Sequence, residues 1–377
     1  MSGAEGTTDA PLILAVSNTP DPAAIALLLA EGADPDVRNT LGETPLMLAA
    51  STVSNPDLVR LLLDAGADVS LTTRIGDTAL HLAAKQATSP DIVTALLHAG
   101  ADPRAENNWL AQPLNFAAEF NPDPAITEAL IAAGAELDAR ATTGNTPLLA
   151  SVQSPGQHAV TMALLHAGAN PEARDLRGRT AAYIATRKRT GPEFREMVEA
   201  GVDLQATDNA GNGLLYAAAI FGTNPEAVRI LLDAGLDPNV TTDNGVPLLF
   251  DVARFVNDAA ILRPLVEGGA KIDARYGDSR TVLHHVAEYR ASSAVVRTLV
   301  ELGADPNART EGEYTALQIA AQFQTRPDML VALVAAGADV NAKDFYGWTP
   351  LLQAVDWNPR PEITQALLDN GADPNLG

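Results

Sequence analysis

GETPLMLAASTVSNPDLVRLLLDAGADVS, residues 42–70, and GDTALHLAAKQATSPDIVTALLHAGADPR, residues 76–104, are two copies of one unit. Each opens on a Gly turn and a Thr, continues as a short Ala-rich apolar run, passes a polar loop, and enters a Leu-rich run that stops at Gly-Ala-Asp. Thr44 is a good helix cap and Pro45 suits a first helical position, where a missing N–H costs nothing. Gly66 stands where a helix ends in a left-handed residue. The unit is therefore a pair of short helices followed by an extended polar stretch.

Working outward, the Gly of Gly-Ala-Asp recurs at 32, 66, 100, 134, 168, 201, 235, 269, 303, 337 and 371. Every interval is 34 residues except 33 between Gly168 and Gly201. Internal repetition of this kind reads as a solenoid, because one helix pair cannot bury its apolar face alone. A tetratricopeptide repeat has a similar period but lacks the dozen polar residues that separate one helix pair from the next. With the Thr-Pro-Leu start, the unit resembles the ankyrin repeat. The resemblance covers residues 9–377 as one domain of about eleven copies behind a short tail, residues 1–8. It implies an all-α, curved ankyrin-repeat solenoid of helix-loop-helix units with β-hairpin-like loops. It also implies that first helices and hairpin tips line a concave groove.

The copies depart from the family pattern between their helices. The usual Gly-His is missing, and the loop is one residue longer. A Pro stands near the start of the second helix at Pro22, Pro56, Pro90, Pro124, Pro192, Pro225, Pro327 and Pro361, behind caps such as Asp21, Asn55, Ser89, Asp123 and Asn224. The short sixth copy is expected to lose a residue from its second helix, within EFREMVEAG.

Composition narrows the chemistry. The formal charge is −22, which repels polyanions and so argues against nucleic acid or an anionic membrane as partner. The chain has no Cys, so thiolate nucleophiles and Cys-ligated metals are absent. No run approaches the roughly 18 apolar residues of a membrane span. The N-terminus lacks the basic and apolar regions of a signal peptide. A cytoplasmic address is expected, with a periplasmic or secreted one as the alternative. The bias toward Arg, with only four Lys among 25 basic residues, points to a GC-rich bacterial source. No cofactor or metal is implied.

Catalytic motifs are missing: there is no phosphate loop, no Gly-x-Ser-x-Gly and no His-Glu-x-x-His. By the resemblance, His81 and His284 bond backbone of a neighbouring hairpin. His98 and His166 share the penultimate turn of second helices, on solvent near a negative helix end. The adjacent pair His284 and His285 diverges around a helix.

The informative positions are those the repeat does not dictate. The second residue after the Ala-Ala pair reads Asn18, Thr52, Gln86, Phe120, Ser154, Lys188, Phe221, Phe255, Tyr289, Phe323 and Trp357. Five consecutive aromatics end this column in a chain only 5% aromatic. They are either packing beneath the loop or a binding strip, since aromatics are favoured anchors. The late hairpin tips are aromatic too, at Tyr276, Tyr314, Phe345, Tyr346 and Trp348. Trp109 lies in a tip that lacks its usual Gly and is expected to be irregular. A basic cluster in the sixth copy, with Arg177 and Arg179 at a tip and Arg187, Lys188 and Arg189 at a helix end, reads either as balanced surface or as an anion-docking point.

The sequence thus reads as a monomeric, non-catalytic scaffold that binds another protein along its groove, mainly through the C-terminal copies. The rivals are an enzyme, small-ligand or anion site around the basic sixth copy, and a secreted bacterial effector mimicking host ankyrin proteins.

Overall fold

The computed structural model describes residues 10–18, 20–52, 55–222, 224–242, 244–256, 259–289 and 292–376. The tail at 1–8 lies outside them. The described residues hold α-helices in alternating pairs from Pro11–Asn18 to Pro361–Asp369, and no β-strand; the tips carry only isolated bridges such as Thr72 to Thr78. This is the all-α array of helix pairs expected from the repeat.

Local chemistry sets each helix end. Asp21, Asn55, Ser89, Asp123 and Asn224 are N-caps, each accepting a backbone N–H two residues on. Pro22, Pro56, Pro90, Pro124, Pro225 and Pro361 begin their helices. The second helices bury one stripe, as in Pro56–Asp64, where Leu58, Val59 and Leu62 are inaccessible and Arg60 is exposed. First helices are buried almost all round: Pro45–Thr52 hides Pro45 through Ala50. Ala at these contacts lets successive first helices stack closely.

Two compact units result. One runs to Arg189 and includes Glu196–Asn209; the other holds Thr190–Arg195 and continues from Ala210. Within each, side chains tie a copy to the next. Arg38 donates to Gly42 O at its own tip and to Thr72 O one copy on; Arg140, Arg275 and Arg309 repeat the clamp. Asp36, Asp138, Asn239, Asn307 and Asn341 each accept a backbone N–H of the following copy.

Two local details correct the sequence reading, and a third adds to it. The sixth copy's second helix, Gly191–Glu199, has nine residues, as Pro56–Asp64 does; the missing residue comes from the loop before it, so Pro192 falls one position inside. The first helix of the next copy, Leu214–Tyr216, changes into a π-turn, Ala217–Phe221, closed by Gly222 N–H donating to Ala217 O. A Cβ on Gly222 would lie 2.2 Å from Ala218 O, so only Gly fits there. The tip at Trp109 is regular. Leu110 takes the left-handed φ of +56° that Gly supplies in most other copies, and Asn107 Oδ1 accepts from Trp109 N and Ala111 N.

Candidate functional site

The aromatic column lies on the surface. Phe255 is 53% exposed, Phe323 50% and Trp357 59%, with Phe221 similar and Tyr289 half-buried. Phe120 belongs with them. Each ring stands at the end of a first helix whose opening turns are largely buried, as Leu317 and Ala320 are ahead of Phe323. The rings also receive cations from within the chain. The Arg254 guanidinium lies 3.7 Å from the Tyr289 centroid and 4.7 Å from that of Phe255, and Lys85 Nζ lies 4.8 Å from Phe120. Such contacts use the negative face of the ring.

The hairpin tips differ among themselves. Phe345 and Tyr346 are each 74% exposed, while Tyr276, Tyr314 and Trp348 are half-buried. Tyr276 packs edge-on toward buried Phe250. Trp109 is about half exposed and lies in the other unit.

Four of the aromatics converge. Tyr314, Tyr346, Trp348 and Trp357, with Gln322, Asp344 and Gln353, line a pocket of about 320 Å³. Two successive tips and the ends of the helices behind them, Ala316–Phe323 and Pro350–Trp357, build it. Buried polar side chains fix its backbone. His284 Nε2 donates to Tyr314 O at 2.9 Å, and Gln318 Nε2 donates to Trp348 O at 2.6 Å. Asp344, only 6% exposed, accepts from Tyr346 N and Trp348 N at 2.9 Å through Oδ1 and from Gln353 Nε2 at 3.1 Å through Oδ2. Aromatics from the tips and from the column therefore share one side of the last two copies.

The basic candidates of the sixth copy differ in their surroundings. Arg189 is buried, and its Nη2 donates to Ser151 O at 2.6 Å and to Thr161 Oγ1 at 3.2 Å. Its position, one past the aromatic column, is used elsewhere by Asn121, Gln324 and Asn358 to reach carbonyls of the preceding copy. Those three polar residues in the same register were the available signal. Arg179 pairs with Asp175 at 2.6 Å, and Arg195 with Glu226 at 2.9 Å. Arg174 donates to Gly178 O and Thr207 O. Arg177, Arg187 and Lys188 are exposed.

Three of the six histidines take structural places. Thr78 N–H donates to His81 Nδ1, which leaves Nε2–H to donate to Ala111 O at 3.0 Å. His284 repeats this with Thr281 and Tyr314. Burial holds both below the usual histidine range. His285, also lowered by burial and then by Arg254, sits between the rings of Phe250 and Tyr289. Among the described residues no group of three or more His, Asp or Glu side chains could hold a metal ion. No helix among them is long and apolar enough to cross a membrane.

A family model described as ankyrin repeats, in three copies, matches residues 12–107, 152–242, 249–344 and 283–377. The chain belongs to the ankyrin repeat family. Among solved structures, 532 chains match. One is the crystal structure of the ankyrin repeat domain of Bcl-3, titled a unique member of the IkappaB protein family. It is 29% identical, covers 59% of this chain and 98% of its own, and has a TM-score of 0.49. A search of curated proteins finds no match.

Proposed function

We propose that this ankyrin repeat protein is a non-catalytic scaffold that docks a protein partner on the tips and first-helix ends of its C-terminal copies. The observation that carries this reading is the pocket lined by Tyr314, Tyr346, Trp348 and Trp357. The core does not require large rings there: Phe323 and Trp357 stay half exposed, and earlier copies place Asn18, Thr52 and Gln86 in the same column. Exposed aromatic rings cost solubility unless they are covered, and Trp and Tyr are the residues that most often anchor interfaces.

Selection of a displayed peptide library against the immobilised chain tests the reading. Enriched peptides should lose about tenfold or more in affinity for the Trp348→Ala/Trp357→Ala double variant, a hot-spot-sized loss. They should bind the Trp109→Ala variant as well as the parent chain. Peptides that bind the double variant unchanged, or a selection that enriches nothing, would refute it.

A further inference from the structure

Resting on that reading, we propose that the aromatic pocket between the last two tips receives an arginine side chain of a basic partner segment. The carboxylate of Asp344 accepts from the guanidinium, and the rings of Trp348 and Trp357 stack on it.

The first support is a comparison inside the chain. Asp175 holds the same register in the sixth copy as Asp344 does in the last. Its Oδ1 accepts from Arg177 N and Arg179 N at 2.8 and 2.9 Å, as Asp344 Oδ1 does from Tyr346 N and Trp348 N. Its Oδ2 is completed by Arg179, with Nε at 2.8 Å and Nη2 at 2.6 Å. In the last copy Trp348 stands in the register of Arg179. Asp344 Oδ2 there has only a neutral amide, that of Gln353, at 3.1 Å. Among the described residues no basic side chain pairs with this buried carboxylate, although buried charges are normally paired. The pocket opens where the sixth copy keeps its own guanidinium.

Ring chemistry and charge agree. The column already accepts a guanidinium at Tyr289 and Phe255, and Trp is a better cation acceptor than either. From Gly303 onward the chain has ten carboxylates against four basic residues. Of those four, Arg309 is held by tip carbonyls and Glu313, and Arg326 by Asp328. Exposed Glu313 and Asp356 are the sequence neighbours of Tyr314 and Trp357. A planar guanidinium can stack and donate N–H at once, which a compact ammonium cannot. A trimethylated ammonium would leave Asp344 without a new donor.

The probe is N-acetyl-arginine methylamide, titrated across the millimolar range against the intact chain. The readout is the indole N–H resonances of Trp109, Trp348 and Trp357, assigned by single Trp→Phe variants. Saturable shifts are expected at Trp348 and Trp357 and none at Trp109. The citrulline counterpart, which keeps the shape but loses the charge, should shift neither. Asp344→Asn should weaken the response about tenfold or more, as loss of a hydrogen bond to a charged group does. That variant should keep its tip, since Asn39 and Asn107 play the same backbone role in other copies. No saturable shift, equal binding of citrulline, tighter binding of the lysine or trimethyl-lysine amide, or an undiminished Asp344→Asn response would each overturn the assignment. Peptides that still depend on Trp357 in the selection above would then leave the docking surface standing without its arginine.

Discussion

Phe323 and Phe250 belong to the same unit, yet one ring is 50% exposed and the other fully buried. Their truncation separates a surface column from a core one. Complete burial of a Phe side chain is worth about 1.5–3 kcal/mol. A ring that hides half its area should therefore lose about 1 kcal/mol as Phe323→Ala, with no closed cavity left behind. Phe250→Ala removes a ring packed at 5.5 Å from His285 and 6.4 Å from Tyr276. That change adds a cavity term and should cost about 3–5 kcal/mol. Guanidinium-induced unfolding followed by circular dichroism measures both, read as the shift of the transition that reports this unit. Phe255→Ala should fall slightly above Phe323→Ala, because it also releases Arg254. A loss for Phe323→Ala matching that of Phe250→Ala would show the column to be core, and the binding argument built on its exposure would fail.

Stability should also depend on pH through the buried histidines. His81, His284 and His285 have folded pKa values below the ordinary one, so the unfolded chain binds more protons and stability is lost as pH falls through about 6.5 and below. His284→Gln should keep the melting temperature at pH 7.5, because Gln318 makes the same two bonds one copy on, and should lessen the fall between pH 7.5 and 5.5; an unchanged pH slope would contradict the neutral, Nε2-protonated assignment. Arg189→Met should cost about 2 kcal/mol by leaving Ser151 O without its charged donor, whereas Arg177→Ala should stay within about 0.5 kcal/mol; equal effects in thermal melts would mean that Arg189 is not structural.

The sequence by itself determined the fold family, through the repeat spacing together with its Thr-Pro-Leu starts and polar connecting stretches, and the residue types determined the helix ends. Caps such as Asn55 and stops such as Gly66 act through bonds to backbone a few residues away, so their chemistry is local and is written in order along the chain. The aromatic column was visible as a departure from the repeat, and so were the aromatic tips. What sequence left open was whether those rings pack or face solvent, because a residue at the end of a helix can turn either way. Only the stacking of one copy on the next decided it. The same stacking drew Arg189 inward to Ser151, 38 positions back, while its neighbours Arg187 and Lys188 stayed outside. It also brought Tyr314, Trp348 and Trp357 around Asp344. Those residues come from two successive copies, and a pocket between copies depends on how neighbouring backbones approach, which no single copy of the sequence encodes.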